Sequence, residues 1–360
     1  MNVLVIALRG PSLGWRAGGA REVITQIGRL WVEDGHSVRV LCAGEGSQFP
    51  RRETVHGVEV IRSGSFHTAL VSLAWQYRRR HGTWADVVLE SIFAYPLYVP
   101  LYTKHPTAAL VHHVMGGSWF DVLSPGKALF GYITERAIPY LYRGSRLVAI
   151  SEGTRDDMIG LGVPGDRVVV APCGVDAERY VPGAKSEVPL LCFVGRLDDR
   201  RKRVEDLIDA FPYIKEQIPG ARLVIAGGGK REVVLRERAA GTEGVEFVGY
   251  LEEEEKINLY RRSWVGVFPS SKEGFLLTAL EASACGTPVI VNEHPGLTTV
   301  VDGETGLVVP RGDPQLLARA VVSLLTDPQR RLKMGSKARA HARQFSWRKM
   351  ADIVLRTLTE

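Results

Sequence analysis

Residues 270–290 read SSKEGFLLTALEASACGTPVI, and this stretch is the most informative part of the chain about its fold. An apolar strand is predicted just before it, at 265–268, and another near its end, at 289–291. Between them lies a helix predicted at 276–284, entered through a loop that carries Glu273. A strand, a helix and a second strand in this order form the unit from which parallel sheets are built.

The same alternation extends outward in both directions and predicts an α/β fold with two Rossmann-like domains facing across a cleft. Further strands are predicted at 3–7, 38–41, 58–61, 87–89, 108–111, 147–150, 190–194, 222–226 and 245–248. Further helices are predicted at 21–34, 205–217, 314–325, 329–344 and 347–358.

A linker between the two domains is predicted at 181–189, where VPGAKSEVP is rich in proline, glycine and charge. The predicted organisation is a first Rossmann-like domain at 1–182, a second at 183–345, and a final helix at 346–360. That helix carries an apolar stripe and is predicted to pack back on the first domain.

The composition is that of an ordinary globular protein, with 45% of the 360 residues hydrophobic and 24% charged. The net charge of +6 is spread over both halves, which argues against a nucleic-acid partner. It suits an anionic small ligand or a weak attraction to anionic lipid headgroups. The four cysteines form no C-x-x-C pair and are interpreted as buried thiols in a reducing compartment.

No apolar run approaches the roughly 18 residues that cross a bilayer. The chain opens directly on a strand, without the features of a signal peptide. We therefore expect a cytoplasmic protein, with a peripheral contact at the inner face of the membrane left open. The adjacent acidic pairs at 156–157 and 198–199 are interpreted as a helix face and a turn, so no metal site is predicted.

Two glutamates, Glu273 and Glu281, are separated by seven residues around the start of a helix. The first lies where helix-start amides face an anion, and the second about two turns further along. An ionised carboxylate accepts hydrogen bonds from two neighbouring hydroxyls, which suits a polyhydroxylated ligand. In isolation, such a pair is more often a dipole-stabilised helix start and a solvated side chain. The surrounding S-x-x-G-F…E-A-x-A-x-G-x-P-V-I pattern favours the binding site.

The segment FVGRLDDRRKR at 193–203 follows the first strand of the second domain. Arg196 is expected at the carboxyl edge of that sheet, with Lys202 in the same loop. A planar guanidinium and a flexible ammonium suit a diphosphate, whose charge grows when it leaves. The three remaining arginines of the segment are interpreted as a solvated basic run.

Two glycine loops follow strands, Gly18-Gly19 in the first domain and Gly227–Gly229 in the second. Glycine lets a backbone approach a phosphate, although either loop alone is more often a tight turn. Neither matches G-x-G-x-x-G or the P-loop pattern, which disfavours a dinucleotide dehydrogenase or a P-loop ATPase. His112 and His113 end another strand, where an imidazole can bind a sugar hydroxyl or can equally be structural.

These residues resemble the motifs of the family 4 glycosyltransferases, which have the two-domain GT-B fold and usually retain the configuration of the transferred sugar. The E-x7-E motif is matched by Glu273 and Glu281, and the VGRL…K motif by Val194–Leu197 and Lys202. Looser matches are Gly18, Gly19, the segment Gly174–Asp176, and His112 six residues after Pro106. The adjacent His113 and the basic DDRRKR segment depart from the family pattern.

The resemblance implies a role for each matched residue. Arg196 and Lys202 would hold the donor diphosphate. Glu281 would bind the ribose, Glu273 would bind the donor sugar, and the nucleotide base would lie near 249–251. The residues implied as catalytic are His112, Glu273, Arg196 and Lys202. Those implied in donor binding are Gly18, Gly19, Gly227, Gly228, Gly249, Tyr250, Leu251, Gly274, Phe275, Leu276, Leu277 and Glu281, with His113 and Arg16 as further candidates.

The resemblance also implies the reaction: transfer of a sugar from a UDP- or GDP-linked donor to an acceptor hydroxyl, with retention and without a metal or other cofactor. The acceptor is expected on the first domain and is a glycan, a lipid-linked sugar or a small metabolite. A nucleotide-sugar 2-epimerase and a non-catalytic sugar-nucleotide-binding subunit remain alternatives. The aromatic and apolar stretch 118–132, flanked by basic residues, is interpreted as a core helix in preference to a membrane-facing patch.

Overall fold

The computed structural model of the protein describes residues 1–12, 18–44, 46, 49–294 and 297–360. They form two compact units, each an α/β domain around one sheet. The first unit comprises 1–174 together with 346–360, and the second comprises 175–345.

The units divide at Gly174–Val175, before the predicted boundary at 182. The reason is that the chain just after the division already packs on the second unit. The Tyr180 hydroxyl donates to the Glu253 carboxylate, and the Val181 carbonyl accepts a hydrogen bond of 2.9 Å from Arg261.

The strands of the first unit are β1 (Asn2–Ala7), β2 (Ser37–Ala43), β3 (Arg52–Val55), β4 (Val58–Ser63), β5 (Val87–Ile92), β6 (Thr107–Val111), β7 (Arg146–Ala149) and β8 (Val168–Val170). Its helices before the division are α1 (Gly19–Glu33), α2 (Ala69–Gln76), α3 (Trp119–Val122), α4 (Pro125–Arg136), α5 (Ile138–Leu141) and α6 (Glu152–Gly160). In the part of the chain that the structure describes, the strand order is β3-β4-β2-β1-β5-β6-β7-β8.

The pairing of β3 with β4 is antiparallel, whereas every other neighbouring pair in this sheet is parallel. The strand β3 was not predicted. A two-residue turn connects it to β4, and both turn residues, His56 and Gly57, have positive φ angles of 49° and 81°. Positive φ at both positions is the geometry that matches the twist of a hairpin.

The strands of the second unit are β9 (Leu190–Val194), β10 (Arg222–Ala226), β11 (Val245–Gly249), β12 (Val265–Phe268), β13 (Val289–Asn292) and β14 (Gly306–Val309). Its helices are α7 (Val204–Gln217), α8 (Glu232–Arg238), α9 (Glu253–Arg262), α10 (Leu277–Ala284), α11 (Pro314–Leu325) and α12 (Pro328–Ala342). The described strands are all parallel and lie in the order β11-β10-β9-β12-β13-β14.

Both sheets contain the doubly wound order of a Rossmann fold, in which the chain starts in the middle and fills each side in turn. The order therefore reverses between β1 and β5 in the first sheet and between β9 and β12 in the second. Loops leave in opposite directions at such a reversal, and a crevice opens at the carboxyl edge of the strands. Each unit thus offers a ligand position of its own.

The last helix, α13 (Trp347–Thr359), lies in the first unit and packs on α1. Its buried face includes Met350 and Val354. The indole nitrogen of Trp31 on α1 donates to the carbonyl of Ala351 at 3.1 Å. Among the helices of the described residues, none combines the length and the apolar character of a membrane-spanning segment. The four cysteines are buried thiols, as predicted.

Candidate active site

The side chains predicted to bind the donor diphosphate and sugar meet at the strand-order reversal of the second sheet. Arg196 and Lys202 lie in the loop after β9, and Glu273 lies in the loop after β12. These strands are neighbours, and both loops leave from the carboxyl edge, so the sheet brings the three side chains to one place.

Lys202 and Glu273 form an ion pair in which the Nζ and Oε1 atoms are 2.6 Å apart. Their side chains are 17% and 16% exposed. Burial would raise the pKa of Glu273, but the charge of Lys202 and its hydrogen bond outweigh burial and lower the pKa. An ammonium and a carboxylate held together in this way can bind a phosphate oxygen and a sugar hydroxyl respectively.

Asp199 organises the loop after β9. Its buried carboxylate accepts hydrogen bonds of 2.9 Å from Arg196 and 2.7 Å from Arg201. Although burial opposes ionisation, the two guanidinium groups hold the pKa of Asp199 well below its usual range. The expectation that Arg201 is a solvated charge is wrong, since its side chain is 16% exposed. Asp199 itself was read as a turn residue, and its role as an anchor was missed.

Glu281 lies on α10, and its carboxylate has partners on α9 that the sequence reasoning missed. It lies 3.1 Å from Lys256 Nζ and accepts a hydrogen bond of 3.0 Å from the Tyr260 hydroxyl. Burial raises the pKa of Glu281 despite the charge of Lys256. A lysine and a tyrosine four residues apart share one face of a helix, which is the signal that could have identified this pair.

The segment that enters α10 presents its backbone to the site. Phe275 and Leu276 have buried side chains, and Leu276 adopts the left-handed backbone region at φ 57°. That conformation costs a non-glycine residue about 1–2 kcal/mol, and strain of this kind clusters at functional sites. No side chain among the described residues caps α10. Amides between Gly274 and Leu277 therefore suit ligand oxygens.

The glycines at 227–229 let the loop after β10 lie against the loop after β9. A Cβ atom on Gly227 would be 1.8 Å from the Gly195 carbonyl oxygen, and one on Gly228 would be 2.5 Å from the Tyr250 ring. The Tyr250 hydroxyl also donates to the Gly228 carbonyl at 3.2 Å. Close packing of these loops accounts for the glycines, and direct phosphate contact stays a prediction.

The predicted position of the nucleotide base follows β11. Gly249 ends this strand with a φ of 69°, and the next residue, Tyr250, is 42% exposed. Leu251 lines a cavity of about 370 Å³ between α9 and the strands β9–β11. The assignment of the base to 249–251 stays a prediction.

The first glycine pair lies at the start of α1. Gly18 immediately precedes the helix, Gly19 begins it, and no described side chain caps it. A Cβ atom on Gly18 would meet nothing within 4 Å, so packing within the protein does not require glycine there. Arg16 lies outside the described residues.

The two adjacent histidines after β6 have different surroundings. His112 is 3% exposed, and its Nε2 lies 2.9 Å from the Ser91 hydroxyl. Burial lowers the pKa of His112 to about 3, so the imidazole is neutral at physiological pH. His113 is partly exposed and meets the Phe93 ring edge-to-face, with centroids 5.7 Å apart.

The stretch 118–132 turns part of its apolar surface to solvent. Leu129 and Phe130 on α4 are 51% and 52% exposed, and Phe120 on α3 is 51% exposed. Trp119, in contrast, is buried in a small cluster. The favoured expectation of a core helix is therefore wrong for the outer face of α4.

Two family models match the chain, one for each half. The model described as Glycosyltransferase Family 4 matches residues 17–179, and the model described as Glycosyl transferases group 1 matches residues 175–341.

A D-inositol 3-phosphate glycosyltransferase from Xylanimonas cellulosilytica is 33% identical in an alignment that covers 99% of this chain and 94% of that protein. With four other curated relatives, the chain spans 53% to 60% of the relative's length.

Solved structures share the fold. Sucrose-phosphate synthase from Thermosynechococcus elongatus is similar with a TM-score of 0.84 and 23% identity, over 99% of both chains. An Anabaena protein solved in complex with UDP-glucose is similar with a TM-score of 0.78 and 19% identity, over 100% of this chain and 99% of that one.

Proposed function

The chain belongs to the family 4 glycosyltransferases and has their GT-B fold, and we propose that it transfers a sugar from a nucleoside-diphosphate-sugar to an acceptor hydroxyl. The observation that carries this proposal is the Lys202–Glu273 pair, 2.6 Å apart at the strand-order reversal of the second sheet. It offers adjacent partners for a phosphate and for a sugar. The UDP-glucose complex of the Anabaena protein supports a donor of this class.

In the proposed donor complex, Lys202 and Arg196 bind the diphosphate and Glu273 binds hydroxyls of the transferred sugar. Charge on the diphosphate grows as the glycosidic bond breaks, so two cations stabilise the transition state more than the ground state. The donor supplies a new anion for Lys202 and new hydrogen-bond donors for Glu273. The ion pair of the ligand-free protein is thereby replaced without leaving either charged group without a hydrogen-bonding partner.

In the same proposal, Glu281 accepts hydrogen bonds from the ribose hydroxyls. Lys256 and Tyr260 hold its carboxylate in one orientation through contacts of 3.1 and 3.0 Å. The base lies near Tyr250, whose ring is partly exposed.

The proposed transfer proceeds on the front face of the sugar and retains its configuration, as the family resemblance implies. The leaving phosphate oxygen takes the proton of the acceptor hydroxyl as the new glycosidic bond forms. The family resemblance implies His112 as a hydrogen-bonding partner of the sugar. A neutral imidazole suits that role because it can hydrogen-bond to a hydroxyl without changing its charge.

We further propose that no metal ion is required, because Arg196, Lys202 and the first amides of α10 can neutralise the diphosphate. The described residues contain no group of three or more His, Cys, Asp or Glu side chains that could hold a metal ion. We expect activity to persist in excess EDTA. Loss of activity that Mg²⁺ or Mn²⁺ restores would overturn this part of the proposal.

The experiment that tests the function starts with thermal-shift measurements of the full chain with UDP, GDP and their sugar conjugates. The stabilising donors are then incubated with a panel of hydroxylated acceptors, and products are identified by NMR, which also reports the anomeric configuration. A new glycoside supports the proposal. Isomerised donor formed without acceptor would identify an epimerase, and binding without turnover of any acceptor would indicate a non-catalytic subunit.

We also propose that the outer face of α4 contacts an anionic membrane surface, which would bring the enzyme to a lipid-linked acceptor. Leu129, Phe130 and Ile133 are 51%, 52% and 57% exposed on this face. Lys127 and Arg136 on the same helix are also exposed. Apolar and basic side chains together match the interface of a bilayer with anionic headgroups.

Co-sedimentation with phosphatidylglycerol and phosphatidylcholine vesicles tests this contact. Phe130→Ser should reduce binding to the anionic vesicles, and Val233→Ser, which replaces an even more exposed apolar residue in the second unit, should not. Equal binding of both variants, or no binding of the unmodified chain, would contradict a membrane contact through α4.

A further inference from the structure

The strand order of the first sheet reverses between β1 and β5, and the carboxyl edge there carries its own group of side chains. Arg9 follows β1, Phe93 follows β5, and His113 follows the neighbouring strand β6. We propose that these three residues recognise the acceptor, and that the acceptor is a polyhydroxylated molecule carrying an anionic group. This inference rests on the proposed transferase function and adds the chemical class of its second substrate.

The three side chains are in contact around the ring of Phe93. The Arg9 guanidinium carbon lies 5.3 Å from the ring centroid, and the His113 ring meets Phe93 at 5.7 Å with an interplanar angle of 83°. All three residues are partly exposed. The Phe93 ring orients the guanidinium, whose planar set of N–H groups matches the geometry of an anion.

Each member of the group suits a different part of such an acceptor. The guanidinium of Arg9 binds a phosphate or carboxylate, for which its planar donors are well matched. The ring of Phe93 offers apolar surface to the C–H groups of a sugar or cyclitol. The imidazole of His113 can donate to or accept from a hydroxyl. A cation, a ring and a hydrogen-bonding group together favour a charged polyol over a neutral glycan.

Two buried carboxylates hold the loops that carry this group. Glu90 on β5 accepts backbone N–H bonds from the loop that follows Phe93, including one of 3.0 Å. Glu135 on α4 accepts two from the loop that follows His113, at 2.7 and 2.8 Å. Both glutamates are at most 2% exposed. Loops fixed from inside lose little conformational freedom on binding, which is the property of a preorganised recognition site.

Calorimetric titrations of the full chain test the proposal with matched neutral and anionic ligands. The phosphate pair is myo-inositol and D-myo-inositol 3-phosphate, and the carboxylate pair is glucose and glucuronate. We expect the anionic member of at least one pair to bind tenfold or more tightly than its neutral partner, a ratio of about the size that one charge-assisted hydrogen bond provides. The pair that shows the difference identifies the anionic group.

The variant Arg9→Gln should abolish this preference, and Arg143→Gln should preserve it. Arg143 is a matched control, because it also lies over an aromatic ring, that of Tyr140, at 5.5 Å. It precedes β7 and so lies towards the amino edge of the sheet. The Hε1 NMR resonance of His113, assigned with a His113→Asn variant, should shift with the anionic ligand in the unmodified chain.

Equal affinity for neutral and anionic ligands, no binding of any of them, or a preference that survives Arg9→Gln would overturn the inference. Binding of UDP or GDP and slow hydrolysis of the donor, measured on the same samples, report on the transferase itself. If both are present while the anionic preference is absent, the acceptor assignment fails and the proposed function stands. If neither is seen, the proposed function fails as well.

Discussion

The two units bury carboxylates beside their candidate sites in opposite ways. In the second unit, Glu273 and Glu281 each face the ammonium group of a lysine. In the first unit, Glu90 and Glu135 accept hydrogen bonds from backbone amides of the neighbouring loops. A buried glutamate therefore forms an ion pair beside the second sheet and anchors a loop beside the first.

The contrast between the two units indicates which charges can take part in binding. Lys202 can leave Glu273 when a phosphate offers another anion, and both groups then bind ligand. A backbone amide cannot leave without rearranging its loop. Burial raises the pKa of Glu90 to about 7 even with these hydrogen bonds. A charge on Glu90 is therefore costly, and the backbone N–H groups of the loop stabilise it.

The largest effect is expected from Lys202→Met, which removes the exchangeable partner of Glu273. Loss of one cation that stabilises developing charge should lower kcat/KM by about 10²–10³-fold. Steady-state kinetics with the identified donor measure the change, and replacement of the exposed Arg200 in the same loop, Arg200→Met, is the control. If both variants kept kcat/KM near that of the unmodified chain, Lys202 would be only a structural partner of Glu273. The proposed difference between the carboxylates of the two units would then be wrong.

The next effect separates the two ion-paired glutamates. Glu281→Gln should weaken the nucleoside diphosphate about ten- to a hundredfold, because a charge-assisted hydrogen bond contributes roughly 1.5–3 kcal/mol. Glu273→Gln should leave that ligand nearly unaffected and lower turnover instead, because the nucleotide has no sugar at that position. Calorimetry with UDP and GDP distinguishes the two. Equal weakening by both variants would show that the carboxylates form one structural network.

A smaller effect on stability is expected from Glu135→Gln. Glu135 accepts hydrogen bonds from two backbone N–H groups, and the NH₂ group of glutamine cannot accept from either. One backbone N–H would therefore lose its partner, at a cost of about 2 kcal/mol of stability. Denaturant unfolding followed by tryptophan fluorescence, which arises mainly from the first unit, should show this loss. The exposed Glu152→Gln is the control. Unchanged stability with weakened nucleotide binding would place Glu135 among the exchangeable carboxylates.

The smallest effect concerns the pH dependence of stability that arises from the buried imidazole of His112 in the first unit. Burial lowers the pKa of His112 to about 3, below the 6.5 of an exposed histidine. Between these values the unfolded chain binds a proton that the folded chain does not, so this group destabilises the fold progressively as pH falls below 6.5. From pH 6 to pH 5 the loss is about 1 kcal/mol. His112→Asn should remove this component from the measured pH dependence, and an unchanged dependence would mean that His112 is solvated.

The sequence predicted what depends on local order. The strands and helices follow apolar periodicity, and Glu273 lies between a strand and a helix whose direction sets its position. The family resemblance assigned Glu273 and Lys202 to one donor site, and the structure adds that the neighbouring strands β9 and β12 bring the two side chains into contact.

The interactions that the sequence did not reveal depend on packing between elements distant in the chain. Lys256 and Tyr260 reach Glu281 only because α9 and α10 are neighbours in the second unit. Asp199 stands in a basic run, where its buried position could not be read from its exposed neighbours. The hairpin strand β3 is rich in polar residues and has no apolar periodicity to identify it.

The position of α13 in the first unit has a consequence for how the protein is made. The second unit is one continuous segment, 175–345, inserted between two parts of the first. Residues 1–174 leave the ribosome earlier, yet they cannot complete their core before residues 346–360 arrive, because α13 covers α1 and supplies the carbonyl for Trp31. Synthesis from the N-terminus ordinarily lets the first domain fold first. Here the later unit has its whole chain available sooner, and a nascent chain halted at residue 345 would carry a finished second unit beside an unfinished first one.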